Sequence, residues 1–261
     1  MSKLNLSVFI IAKNEGDRIA NTIKSVREYA NEVIVIDSGS SDDTVSVSES
    51  LGARVIFNSW EGYVQQKSFG EQQCTNDWVL NLDADEEVSA ELMLEIIQLF
   101  SQGTPEHSAY ALPSLPIYPY QKRTYRWMIH NSPIRLYNKK LAYYHDDTTH
   151  DFVKIREGTG GTLRGFVLHR SFRSLAHHVE KMNFYSDAQA ENRFNKKRYI
   201  PTVALLILPI IAFIKCYIFR RSFLLGIDGI VLSHMHAFHR FLILAKTREL
   251  YLKEKSNEEK G

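Results

Sequence analysis

The chain opens on a nearly unbroken apolar run, Leu6 to Ala12. A polar loop follows, and then Ile19, Ile23, Val26 and Ala30 recur at helical spacing. That order predicts a buried strand and then an amphipathic helix. Glu32-Val-Ile-Val-Ile-Asp37 repeats the strand pattern, Ser38-Gly-Ser-Ser-Asp-Asp-Thr44 supplies turn residues and N-cap candidates, and Val45, Val47 and Leu51 carry a second helix. Arg54 to Phe57 predicts a third strand, Gly62 to Cys74 a helix, and Trp78 to Leu82 a fourth strand ending in Asp83-Ala-Asp-Glu-Glu87. Glu91 to Phe100 predicts a further helix. Continuous apolar strands alternating with helices predict an α/β fold with a mainly parallel sheet covered on both faces.

From residue 104 the pattern changes to prolines and tyrosines, with short strand-like segments at Pro133 to Tyr137, Phe152 to Ile155 and Gly165 to Leu168. Gly158-Thr-Gly-Gly161 predicts a hairpin turn between the last two, because no helix follows to make it a phosphate cradle. Leu175 to Arg193 predicts a helix with solvated charges, and His239 to Leu252 an amphipathic helix before a charged tail. Residues 199–219 stand apart as an apolar stretch interrupted by Pro209 and flanked by Lys196-Lys-Arg198 and Arg220-Arg221. The favoured reading is a half-inserted or interfacial membrane segment, over a full span and over a buried helix pair. The expected division is an α/β domain, 1–170, and a helical extension, 171–261.

Composition narrows the class. Hydrophobic residues make up 44% and charged residues 24%, which fits a folded chain and excludes disorder or a multi-span membrane protein. Two cysteines, Cys74 and Cys216, are too few for a disulfide framework. The net charge of +2 hides an asymmetry: residues 1–100 carry −10 and residues 101–261 carry +12 and all ten histidines. An acidic first part argues against nucleic-acid binding, and the basic second part suits phosphate-bearing lipid or an anionic glycan. The first apolar run is too short for a signal-peptide core, so the expected location is cytoplasmic.

Candidate chemistry gathers where strands end. Asp83-Ala-Asp85 follows the fourth strand at the carboxyl edge of a parallel sheet, where α/β folds bind ligands. One carboxylate of such a pair can hold a hard divalent cation and the other a ribose hydroxyl, although acidic loops also serve as plain surface. Asp37 ends the second strand beside Ser38, Gly39 and Ser40, placed either for a nucleoside or for a cap series with Asp42 and Asp43. Glu15 occupies the equivalent loop after the first strand, and Lys67 is either a phosphate contact or a solvated helical lysine. His234, His236 and His239 read as helix side chains rather than metal ligands. His145 and His150 flank acidic residues and can orient a base or meet an acceptor.

In combination, IIAKNEGDRI, VIVIDSGSSDDTV, GARV, the tryptophan of SWEGYVQQKSFG, and DWVLNLDADEEV resemble the family 2 inverting glycosyltransferases in order and spacing. Arg135-Leu-Tyr137, Thr149-His150-Asp151, the strand from Gly165 to His169, and Gly226-Ile-Asp-Gly229 resemble the branch that adds glucose to the inner core of bacterial lipopolysaccharide. The resemblance implies a GT-A fold and a UDP-glucose donor. It places Glu15 and Asp37 on the uridine, Lys67 on the phosphates, Asp83 on the ribose and Asp85 on a Mg²⁺ or Mn²⁺ ion, with Asn14 a further donor-binding residue. It makes Asp151 the general base, with Asp146 and Asp147 as alternatives because the branch carries His-Glu where this chain has His150-Asp151. Arg135 and His150 become acceptor-side candidates. The acceptor it implies is a lipid-linked heptose, met by an enzyme peripheral on the cytoplasmic face of the inner membrane. Two rival readings are a polyprenyl-phosphate sugar synthase and a catalytically silent UDP-binding membrane adaptor.

Overall fold

The computed structural model describes residues 3–119, 124–129, 131–145 and 152–258. The chain forms two compact units, Met1–Ile117 with Met128–Ser171, and Tyr118–Trp127 with Phe172–Gly261. In the first unit, β1 (Leu4–Ala12), α1 (Ile19–Val26), β2 (Ala30–Asp37), α2 (Thr44–Ser50), β3 (Arg54–Phe57), α3 (Tyr63–Gln73) and β4 (Trp78–Asp83) alternate as the apolar pattern requires. After them come β5 (Glu86–Val88), α4 (Ala90–Ser101), β6 (Ala109–Ala111), β7 (Ser114–Pro116), β8 (Ile134–Asn138) and β9 (Ala142–His145). The unit closes with β10 (Phe152–Ile155), β11 (Gly160–Thr162) and β12 (Val167–His169).

The main sheet runs β11-β6-β8-β4-β1-β2-β3, with β4, β1, β2 and β3 mutually parallel. β8 enters antiparallel between β4 and β6, so the sheet is mainly parallel and mixed at one side. Alternation along β1 sets the layers. Leu6, Val8 and Ile10 pack with Ile19 and Ile23 of α1 and Leu92 and Ile96 of α4, whereas Phe9 and Ile11 pack with Cys74, Tyr137 and Tyr144 on the other face. Burying each such aliphatic or phenyl group stabilises the fold by about 1.5–3 kcal/mol. The parallel register places Asp37 beside Ala12, and Asp83 beside Ile11, so both aspartates reach the carboxyl edge on either side of β1.

Several local expectations change. The first helix ends at Val26, and Ala30 instead opens β2 opposite Leu4, because strand pairing with β1 outcompetes one further helical turn. Gly160 to Thr162 is not a turn: it forms β11, parallel to Ala109–Ala111 at the sheet edge, and only the preceding Gly158, with φ +88°, keeps the turn conformation. Glu86 to Val88, within the acidic loop, is a strand that pairs antiparallel with β12 in a small sheet β5-β12-β7. Register there sets His169 opposite Glu86, which draws the end of β12 to the D-x-D loop.

Gly165 sits under the start of α4, where Ser89 caps the helix by accepting from the Leu92 backbone N–H. A Cβ on Gly165 would lie 2.3 Å from the Leu92 Cα, a backbone atom that cannot swing aside. Gly165→Ala is therefore expected to destabilise the protein by about 1–3 kcal/mol, the usual cost of overpacking. Denaturant unfolding reads this, and an unchanged midpoint would show that α4 can lift off β12.

The second unit contains α5 (Leu175–Asn195), α6 (Thr202–Ile214) and α7 (Ile227–Glu258), joined by a π-helical turn at Lys215–Phe219 and a short 3₁₀ turn at Ser222–Leu225. The C-terminal helix thus begins twelve residues before the His239 expected from periodicity, because Gly229 lies close enough under the Ser222 carbonyl to pack the two segments backbone to backbone. The apolar window Thr202–Phe219 has a mean hydropathy of 2.3 and only 11% of it is buried. It is therefore not the buried core helix that was one of its three readings.

Candidate active site

The loops after β1 and β2 are knitted to each other. Asn14 adopts φ +55°, donates its backbone N–H to Ser40 Oγ at 2.9 Å and accepts from the Ser41 N–H at 2.8 Å. Glu15 and Gly16 donate backbone N–H groups to Thr44 Oγ1 and Asp42 Oδ2. Asp37 is buried, and its Oδ2 accepts from Gly39 and Ser40 N–H at 2.9 and 3.0 Å, an Asx-type turn that fixes the strand's exit. Of the expected cap residues, Asp42 holds the Thr44 N–H, while Asp43 stands at the N-cap without a side-chain bond. Asn14 and Asp37 thus shape this corner of the edge.

Asp83 ends β4 between two cations: Arg135 at 2.9 Å and Lys67 at 3.3 Å. The Arg135 guanidinium also binds Glu86 at 3.0 Å and donates to Asn81 Oδ1 at 2.7 Å, an oxygen shared with the Tyr144 hydroxyl. The Asp83 backbone N–H returns to Glu86 Oε2. Burial works to raise the Asp83 carboxyl, but Arg135 and Lys67 overcome it and hold it well below the usual carboxylate range. Burial pushes Glu86 up despite Arg135 beside it. Arg135, an acceptor-side candidate by the resemblance, lies against the D-x-D loop with its side chain only 10% exposed. Glu86 is buried and Asp83 partly so, and the two share this buried cation, with Lys67 as a second buried cation on Asp83.

Asp85 faces a different pair. His169 Nε2 lies 3.4 Å from one oxygen and Arg18 NH1 3.6 Å from the other, both longer than the ~2.7–2.9 Å of charge-assisted hydrogen bonds. Arg18 is anchored by Glu15 at 2.6 Å and by the Arg170 carbonyl at 2.7 Å, while the Arg170 N–H donates to the Asp85 carbonyl. Burial raises the Asp85 carboxyl, but the His169 hydrogen bond and charge, with Arg18, bring it below its ordinary value. Glu15, expected on the uridine, is paired here with Arg18. Residues 146–151, including His150, Asp151 and the alternatives Asp146 and Asp147, lie outside the described residues.

The donor set suits a hard divalent ion. Neither Asp85 oxygen is taken by a tight donor, His169 Nε2 stands on the same side, and Asp83 Oδ1 is buried without a hydrogen-bond donor among the described residues, facing only Lys67. No group of three or more His, Cys, Asp or Glu side chains gathers for a metal among the described residues. A Mg²⁺ or Mn²⁺ ion held by the Asp85 carboxylate would need phosphate oxygens and water to complete its shell, the arrangement usual for Mg²⁺, and His169 could join it only as a neutral imidazole. Reading single residues missed Arg18, Asn81, Glu86 and His169. Only His169 left a trace, as the end of the strand from Gly165.

A mainly parallel α/β sheet with a D-x-D loop at its carboxyl edge and a helical C-terminal region defines a GT-A-like glycosyltransferase. Residues 7–164 match the family Glycosyl transferase family 2, and the chain belongs to that family. An uncharacterized glycosyltransferase of Rickettsia typhi is 44% identical over 260 residues, covering 96% of this chain and 89% of that protein. The lipopolysaccharide core biosynthesis glycosyltransferase LpsC of Rhizobium meliloti is 28% identical over 94% of this chain and 92% of its own length. Among solved structures, S. aureus TarS 1-349 in complex with UDP-GlcNAc shows a TM-score of 0.49 and 14% identity, covering 97% of this chain and 92% of that one. Glucosyl-3-phosphoglycerate synthase from Mycobacterium tuberculosis with Mn²⁺, UDP and glucosyl-3-phosphoglycerate has a TM-score of 0.35, with 24% identity over 46% of each chain.

Proposed function

We propose that this glycosyltransferase transfers glucose from UDP-glucose, with inversion, to a lipid-linked glycan, the inner-core heptose of a lipopolysaccharide. The reading places the enzyme peripherally on the cytoplasmic face of the inner membrane. The observation that carries it is the division of labour at the D-x-D loop: Asp83 is neutralised by Lys67 and Arg135, while Asp85 and His169 face each other at 3.4 Å without a tight bond. Likeness to LpsC along nearly the whole chain supports the acceptor class.

In this reading Asn14, Glu15 and Asp37 line the uridine corner and Asp83 receives the ribose. Lys67, already 3.3 Å from Asp83, meets the diphosphate. Asp85 and His169 hold a Mg²⁺ or Mn²⁺ ion, which when bound neutralises charge developing on the departing UDP. Asp151 takes the proton from the acceptor hydroxyl as it attacks the anomeric carbon from the opposite face, giving a β-linkage.

The test is a screen of purified protein for release of UDP from nucleotide sugars with and without Mn²⁺, followed by transfer to heptose-terminated lipopolysaccharide. Asp151→Asn should keep UDP-glucose affinity while transfer falls by about 10²- to 10⁴-fold, the worth of a positioned base. Normal transfer by that variant moves the base to Asp146 or Asp147. Activity toward a polyprenyl phosphate that survives loss of every carboxylate in 146–151 would favour the synthase reading, since an ionised acceptor needs no base.

A further inference from the structure

A helix that is apolar on all sides is normally buried. α6 is uncharged along all 13 residues, yet Leu206 is 69% exposed, and the exposure continues through Phe219 at 77% to Ile227 at 79% at the start of α7. Ile210, Ile214 and Val231 are exposed with them. Residues 196–227 contain six Lys or Arg and no Asp or Glu, grouped as Lys196, Lys197 and Arg198 before the helix and Lys215, Arg220 and Arg221 after it. A large apolar surface bracketed by cations complements one occupant, a bilayer carrying anionic head groups.

The packing decides how it is engaged. α7 packs against both α6 and α5, and Lys246 of α7 reaches Asn183 and Asp187 of α5 at 2.7 Å. If α6 crossed the membrane, the chain would emerge on the far side at Arg220 and Arg221, and α7 would have to return through it to meet α5. That return would carry Asp228, His234, His236, His239 and Arg240 into lipid, where a charged side chain near the centre is strongly disfavoured. The 18-residue window spans about 27 Å as a helix, slightly less than a ~30 Å hydrocarbon core.

We propose that α6, the Lys215–Phe219 turn and the start of α7 form a monotopic surface lying in the plane of one leaflet. Leu206, Ile210 and Ile214 sit among acyl chains, and the two basic groups rest on lipid phosphates. The proposal deepens the peripheral attachment of the preceding reading, and rests on it, by stating which residues enter the bilayer and that none crosses.

Co-sedimentation of the full chain with phosphatidylcholine vesicles, with or without phosphatidylglycerol, at low and high salt tests the surface. Wild type should pellet with the anionic vesicles and be partly released by salt. Changing Lys196, Lys197, Arg198, Arg220 and Arg221 to Gln should weaken anionic binding by about 10²- to 10³-fold. Leu206→Glu with Ile210→Glu should abolish binding at either salt while leaving UDP-glucose hydrolysis unchanged. For topology, Asn195→Cys and Arg221→Cys are each exposed to an impermeant maleimide outside sealed vesicles to which the protein was added. Both should react fully, whereas the native Cys74 and Cys216 are buried. Wild type remaining in the supernatant with anionic vesicles at low salt, including as a self-associated species, overturns the proposal. So does protection of Arg221→Cys until detergent is added. Hydrolysis measured on the same preparations keeps the two readings apart: pelleting without any hydrolysis contradicts the transferase chemistry and leaves the membrane surface standing.

Discussion

Asp85→Asn is expected to lower glucose transfer by about 10³-fold, since a metal's stabilisation of transition-state charge is worth several kcal/mol and each ~1.4 kcal/mol is tenfold. The substitution keeps the shape of a side chain that is 11% exposed, and Arg18 retains Glu15, so the fold should persist. What disappears is a carboxylate that, among the described residues, faces both His169 and Arg18 without a tight bond to either. Calorimetry should show Mn²⁺ binding in the presence of UDP lost with it. His169→Ala should act in the same direction, and the double variant should be little worse than either, because groups that hold one ion act as a unit. Excess chelator should reproduce the loss in wild type; undiminished turnover in chelator would remove the metal from the mechanism.

Arg135→Met carries the largest expected effect on stability. It removes the cation shared by Asp83 and Glu86, leaving Lys67 at 3.3 Å for one carboxylate and no cation within salt-bridge distance of the other among the described residues. Breaking a buried ion pair from one side costs about 3–5 kcal/mol. Adding Glu86→Gln should restore part of this, since glutamine is neutral and its carbonyl oxygen can still accept from the Asp83 N–H. Urea unfolding of the two variants reads the cycle. A single-variant loss below about 1 kcal/mol would mean that Arg135 is solvated and does not support the loop.

The βαβ half of the fold was legible because its strands are buried on both faces. Leu6 to Ala12, Glu32 to Asp37 and Trp78 to Leu82 advertise themselves as apolar runs, and a parallel edge then places Asp37 and Asp83 without further information. Glu86 to Val88 was hidden because its strand character comes from pairing with Val167 to His169, some eighty residues away, and not from its own acidic composition. Gly160 to Thr162 was hidden for the same reason, glycine being a weak strand former that β6 nonetheless recruits. At the site, the residue types at strand ends were readable but their partners were not. Arg18 looks like an ordinary residue at a helix start, and Arg135 like a strand residue with an exposed tip. Only the sheet order reveals that both lie under the same acidic loop.

The proposed reaction is glucose transfer at the D-x-D edge of this chain. Its most direct test is to incubate the purified full chain with UDP-glucose labelled in the sugar, Mn²⁺ and heptose-terminated lipopolysaccharide, and to follow both UDP and label. Label is expected in the lipopolysaccharide as a β-linked glucose, with one UDP released per glucose transferred and none of either with Asp85→Asn. Intact UDP-glucose after prolonged incubation of folded, UDP-binding protein, with no other nucleotide sugar consumed, would contradict it.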